Sequence, residues 1–236
     1  MLKFDGCTFS AAGANKSAKV FGLTLNGAED VSINNCKFDG TGYSGLLNKC
    51  EGDVTIKGCA FECDNFRNPI EGGQAAPQGN LIVEDCRFTG APGNNFINFY
   101  NVKEDSVHNI KNCYFEGNMG ENNIIRLSNV ESTTATYNID DCVQVYIAGE
   151  ENEYTGFIIC QDYTNRTGKF QDFGNYTVNI NNLDRPNKGK LFYVYEDGVG
   201  LVDNNDPAIY LDGELVSNPG ISVEAPPIMV EEEDEL

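Results

Sequence analysis

Val31-Ser-Ile33-Asn-Asn35-Cys36-Lys-Phe38-Asp-Gly40 is the stretch that decides the fold, because the chain repeats it. The pattern is an aliphatic pair two apart, then Cys, one residue, Phe and often Gly. It occurs at residues 2–9, returns at 54–61, 81–90 and 109–117, and fades at 138–145. Cys7, Cys36, Cys59, Cys86, Cys113 and Cys142 step by 29, 23, 27, 27 and 29 residues, and Phe9, Phe38, Phe61, Phe88 and Phe115 keep step with the first five. Repeats of about 20 to 50 residues mean units that bury a core only by stacking on their neighbours.

Each unit reads as strand. Phe, Val, Ile and Tyr alternate with polar residues, and Gly, Asn and Asp separate the apolar runs. No sustained helical stripe with caps occurs. The residue before each Cys is Gly6, Asn35, Gly58, Asp85, Asn112 or Asp141. These types enter the left-handed region cheaply, so a sharp corner between two strands is expected there. A second strand lies upstream, as in Phe21-Gly-Leu23-Thr-Leu25-Asn26. An Asn follows each such run (Asn26, Asn48, Asn101, Asn129), which predicts an Asn ladder. A β-sandwich or propeller would need hairpins between neighbouring strands. Like segments recurring near 27 residues favour parallel stacking instead.

Short strands joined by corners in a coil of this length resemble the right-handed parallel β-helix of the pectate-lyase-like superfamily and of β-helical phage virion proteins. The resemblance implies an all-β, single-stranded right-handed parallel β-helix of six or seven coils over residues 1–183. An insertion is expected at 150–175, because Leu183 takes the next Cys place 41 residues after Cys142. Residues 184–216 are expected to form a small antiparallel cap or an oligomerisation module, with a hairpin at Asp212-Gly213. Residues 217–236 are an extended tail. Pro226, Pro227, Ile228, Met229 and Val230 are apolar and stiff, and an acidic end follows. The tail reads either as a solvated segment or as an arm laid on a neighbour.

Lys and Arg number 16 against 36 Asp and Glu, a formal charge of −20. That excess argues against nucleic acid and anionic membrane surfaces as partners. No apolar run is long enough for a membrane span. The N-terminus lacks a charged leader and an apolar signal core and starts inside a repeat. The expectation is therefore synthesis in a reducing cytosol, with the first coil covered by a partner or an upstream region. The nine cysteines match no zinc spacing and are expected as free thiols filling the interior.

Chemistry is thinly signalled. His108 is the only His and is expected at a surface or corner position. The weak catalytic candidates are Glu84 and Asp140 as outward carboxylates, with Arg87 and Arg126 (and Arg67) as base or sugar clamp. Asp85 and Asp141 already serve corners. Asp140 follows Asn34, Lys57, Glu84 and Lys111 in its column, which reads as a solvated face of mixed charge. Asp203 and Asp206 are a weak Ca²⁺ candidate, with a turn before Pro207 as the simpler account. No other cofactor is implied. Tyr43, Tyr100, Tyr114 and Tyr137 are read as outward or edge residues suited to sugar rings or to protein contacts.

The function expected from the resemblance is that of a structural virion protein assembled in the host cytoplasm. It would be a head-decoration, fibre or spike component binding other virion proteins, itself (as a trimer) or a surface glycan. The alternative is a polysaccharide lyase or glycoside hydrolase acting in a groove of the β-helix.

Overall fold

The computed structural model describes residues 1–73, 77–117, 124–129, 134–146, 156–162, 176–184, 190–195 and 208–215. Its strands stack into three sheets and form a parallel β-solenoid, all-β and without helix among the described residues. Sheet A holds β1 (Leu2–Asp5), β4 (Val31–Asn34), β7 (Val54–Lys57), β10 (Leu81–Glu84), β13 (Ser106–Lys111), β16 (Ala135–Asp140), β19 (Tyr176–Asn181), β21 (Ala208–Leu211) and β22 (Glu214–Leu215). Sheet B holds β2 (Thr8–Ala12), β5 (Lys37–Thr41), β8 (Ala60–Glu62), β11 (Arg87–Thr89), β14 (Tyr114–Gly117) and β17 (Val143–Tyr146). Sheet C holds β3 (Phe21–Asn26), β6 (Ser44–Lys49), β9 (Ile70–Gly72), β12 (Ile97–Phe99), β15 (Ile125–Asn129), β18 (Gly156–Asp162) and β20 (Lys190–Tyr195). The six levels of sheet B are joined by about five turns, slightly fewer than the six or seven coils expected. Past β19 the described strands continue only sheets A and C, which accounts for the difference.

The corner residues behave as their types dictate. Asn35, Asp85, Asn112, Asp141, Asn182 and Asp212 have φ of 49–53° and Gly6 and Gly58 have φ of 62° and 63°, all left-handed. The side chains then join level to level: Asn35 Nδ2 donates to Asp5 Oδ1 at 3.0 Å, Asn112 to Asp85 at 2.7 Å and Asn182 to Asp141 at 2.9 Å. With each level turning at the same place, like packs on like. Phe4, Ile33, Ile56, Val83, Ile110, Ile139, Ile180 and Leu211 form one inward column. Phe9, Phe38, Phe61, Phe88 and Phe115 form another, their rings stacked at centroid distances of 5.1, 4.5, 4.7 and 4.9 Å. Offset stacking of this kind adds to the gain from burial. The column ends at Gln144, which pairs with Phe115.

The cysteines line the same interior. Cys36, Cys59, Cys86, Cys113 and Cys142 are buried and Cys7 is half-buried. The backbone N–H of Cys7, Cys36 and Cys59 each meets the sulfur of the next level at 3.4 Å. Burial pushes the Cys36, Cys50 and Cys63 thiols up, so they stay protonated and act as small apolar fillers. Cys7, Cys36, Cys50, Cys59, Cys63, Cys86, Cys113 and Cys142 are free thiols.

Two expectations change, for the Asn ladder and for His108, and the later strands extend the sheets. The Asn ladder does not form on sheet C: Asn26 pairs with Lys49, and Asn48 with Leu25 and Gly72. The coils differ in length, so an Asn after the apolar run holds no constant register. An amide ladder runs instead over the outer face of sheet A, from Asn179 to Asn138 to Asn109, with 2.8 Å at each step. The region expected as an insertion supplies β18, which pairs parallel with β15. The region expected as an antiparallel cap continues the solenoid: β20 pairs parallel with β18, and β21 with β19. Among the described strands only the β21–β22 hairpin around Asp212-Gly213 is antiparallel. Finally, His108 is fully buried inside sheet A rather than at the surface. It lies two residues before Ile110 and pairs with Tyr137 in a second inward column, which Val178 and Ile209 continue. Its ring stacks on Tyr137 at 4.9 Å and packs by Phe99 at 4.8 Å. Nδ1 accepts the Leu81 N–H at 3.2 Å and Nε2 faces Ser106 Oγ at 2.9 Å, so the neutral ring uses both nitrogens. Burial lowers its pKa to about 3.

Two stability outcomes follow. Phe88→Ala, in mid-stack, should cost about 3–5 kcal/mol in urea unfolding; a loss below about 1 kcal/mol would contradict the stack. The unfolded chain binds a proton at His108 below the ordinary His pKa and the folded chain does not, so stability falls as pH drops from 6.5 towards 3. At pH 5 this loss is on the order of 2 kcal/mol, and His108→Phe should remove it from the pH profile of urea unfolding.

Candidate functional site

Sheet C carries buried polar chemistry on its outer side. Leu46, Ile70, Ile97 and Ile125 pair in succession and point into the core. Alternation then sends Leu47, Glu71, Asn98 and Arg126 outward in one column. Yet Glu71 is only 4% exposed and Asn98 2%. The loops that enter β9 and β12 bring polar groups to this column. Asn68, itself buried, donates from Nδ2 to Glu71 Oε2, and its Oδ1 accepts the Asn95 N–H at 3.1 Å. Asn98 Nδ2 reaches both carboxylate oxygens of Glu71 at 3.3 Å. Arg67 lies over the Tyr43 ring at 4.9 Å, and Tyr43 in turn meets Phe21 at 6.0 Å.

Burial, the largest influence, pushes the Glu71 carboxyl up to about 7, against the Asn98 hydrogen bond and the Arg126 and Arg67 charges that favour ionisation. A carboxyl poised at neutrality can give or take a proton, which is what acid–base chemistry needs. The sequence reading missed Glu71, because it sought carboxylates beside the Cys motif. The available signal was its outward place between Ile70 and Gly72, 27 residues before Asn98.

The residues singled out from sequence do not converge. Glu84 and Asp140 share an outer column of sheet A with Asn34, Lys57, Lys111 and Asn181. Glu84 pairs with Lys57 Nζ at 3.0 Å, and Asp140 Oδ1 accepts from Asn181 Nδ2 at 2.7 Å. Arg87, on sheet B, pairs with Glu116 and lies over Tyr114 at 4.3 Å. Arg126, on β15, and Arg67, in the loop entering β9, join the buried cluster by sheet C. Tyr43 and Tyr114 are half-buried partners of arginines. Tyr100 and Tyr137, expected outward, are buried: Tyr137 fills the His108 column, inside sheet A. Asp203, Asp206 and the tail residues Pro226, Pro227, Ile228, Met229 and Val230 lie outside the described residues. Among the described residues no three His, Cys, Asp or Glu side chains gather to hold a metal ion.

Comparison with known proteins finds no matching family model, no matching curated protein and no matching solved structure.

The buried carboxyl makes a measurable claim. Between pH 4.5 and 7 the folded chain keeps a proton on Glu71 that the unfolded chain has released. Stability therefore falls as pH rises through that window, by an amount on the order of 3 kcal/mol from this group. In Glu71→Gln that contribution vanishes, so the variant should gain on the wild type by this amount between pH 4 and 8 in urea unfolding. A pH-independent difference would mean that the carboxyl is ordinarily solvated.

Proposed function

We propose that this chain is a structural protein of a virion, a head-decoration, fibre or spike component that holds neighbouring virion proteins or surface glycans. The observation that carries the reading is the mutual pairing of outward charges over a closely packed solenoid. Lys57 engages Glu84 and Asp85, Lys37 engages Asp39 and Glu62, and Arg87 engages Glu116. Such exposed pairs stabilise little. They do leave faces of sheets A and B on which each of these cations is held by carboxylates along the stack, a surface suited to extended contacts. Free interior thiols agree with assembly in a reducing host cytoplasm. A homo-oligomer, a trimer by resemblance to β-helical virion proteins, belongs to the proposal.

A second reading, a polysaccharide lyase or glycoside hydrolase, is favoured by one observation. Glu71 combines a near-neutral carboxyl with two neighbouring guanidinium groups. On that reading Glu71 is the acid or base and Arg67 or Arg126 orients the sugar.

Light scattering of the reduced protein, with and without Ca²⁺, should return a discrete oligomer that survives dilution. A monomer that degrades a polysaccharide, with cleavage abolished by Glu71→Gln, would replace the first reading by the second.

A further inference from the structure

One amide in the sheet C cluster is only half used. Asn98 Nδ2 is directed at Glu71, while Asn98 Oδ1 is buried and accepts no hydrogen bond. A buried acceptor without a donor is costly. The ends of an Asn side chain exchange by rotation about its last torsion, with no change of backbone. Which end faces Glu71 depends on what Glu71 offers. An ionised carboxylate has only acceptors and takes Nδ2. A protonated carboxyl has one O–H, for which Oδ1 is the matching partner.

We propose that Glu71 and Asn98 form a proton-operated latch, in which one proton from solvent, added to the Glu71 carboxylate, turns the Asn98 amide over so that the new O–H donates to Asn98 Oδ1. In the basic state Asn98 Nδ2 donates to Glu71, which is the arrangement observed. In the acidic state the previously unpaired oxygen is satisfied and the carboxyl is neutral. The groups facing Glu71 are Arg67 and Asn68 from the loop entering β9, Asn98 from β12 and Arg126 from β15; Leu47, its partner on β6, brings no charge. Neutralising Glu71 leaves the two guanidinium groups without its counter-charge. The half-exposed Arg67–Tyr43 patch then becomes more positive in acid. Burial holds the carboxyl close to neutrality, at about 7, which places the change in a range that cells and their compartments cross. The inward neighbours Ile70 and Ile97 lie on the other side of the sheet, so the latch turns without opening the core.

The test is a side-chain NMR titration from about pH 5 to pH 9, bracketing that carboxyl. The Asn98 amide resonances should move with the same midpoint as the Glu71 carboxyl carbon. In Glu71→Gln, whose own amide donates to Asn98 Oδ1 at every pH, the Asn98 signals should stay throughout at the acid position of the wild type. Three results overturn the proposal: an Asn98 amide that stays still while Glu71 titrates, a Glu71 that does not titrate in this range, or the same movement in the variant. If the variant fails to fold, the wild-type titration decides by itself.

Discussion

The left-handed corner that follows each parallel strand of sheet A is the constraint on which the solenoid depends. Asn35, Asp85, Asn112, Asp141, Asn182 and Asp212, with Gly6 and Gly58, bend the chain at equivalent points. Because the bend recurs, a given side chain falls above its equivalent one level away, and the phenylalanine rings stack. A slip of one residue at a corner would send the inward side chains that follow it outward, Cys36 and Phe38 after Asn35 for example, since strand side chains alternate. The Asn-to-Asp hydrogen bonds across corners reinforce the same register with groups that the bend itself requires.

Sheet C obeys the register without sharing the motif. Its strands enter from loops of unequal length, and those loops carry Arg67, Asn68 and Asn95 to its outer side. Polar side chains are consequently buried in two places. Outside, Glu71 and Asn98 are covered. Elsewhere, Ser44, Asn48 and Gln78 are buried, with Asn48 Oδ1 accepting the Cys50 N–H at 3.0 Å. The regular sheets supply cohesion, and the irregular one holds the titratable cluster.

The repeated elements were legible because one side-chain type recurs at one register position. Cys36, Phe38 and Asn35 announced interior, stack and corner, and the structure places all three so. The parallel β-helical fold was legible for the same reason. The candidate site was not. Glu71, Asn68 and Asn98 become neighbours only through coil lengths that no motif marks, and the burial of an outward column depends on loops rather than on strand alternation. His108 shows the complementary failure. A polar residue at an apolar register position reads as exposed until stacking on Tyr137 and bonds to Leu81 and Ser106 are seen.

Parallel pairing in all three sheets, the β21–β22 hairpin aside, sets the interstrand hydrogen bonds nearly along one axis. Under tension along that axis the bonds within a level share the load side by side, whereas the levels bear it one after another. The force at which such a rod parts is set by its weakest level and not by its length. Its resistance to bending comes from three sheets spread around the axis. Adding levels would extend the reach of the rod and leave its breaking force unchanged.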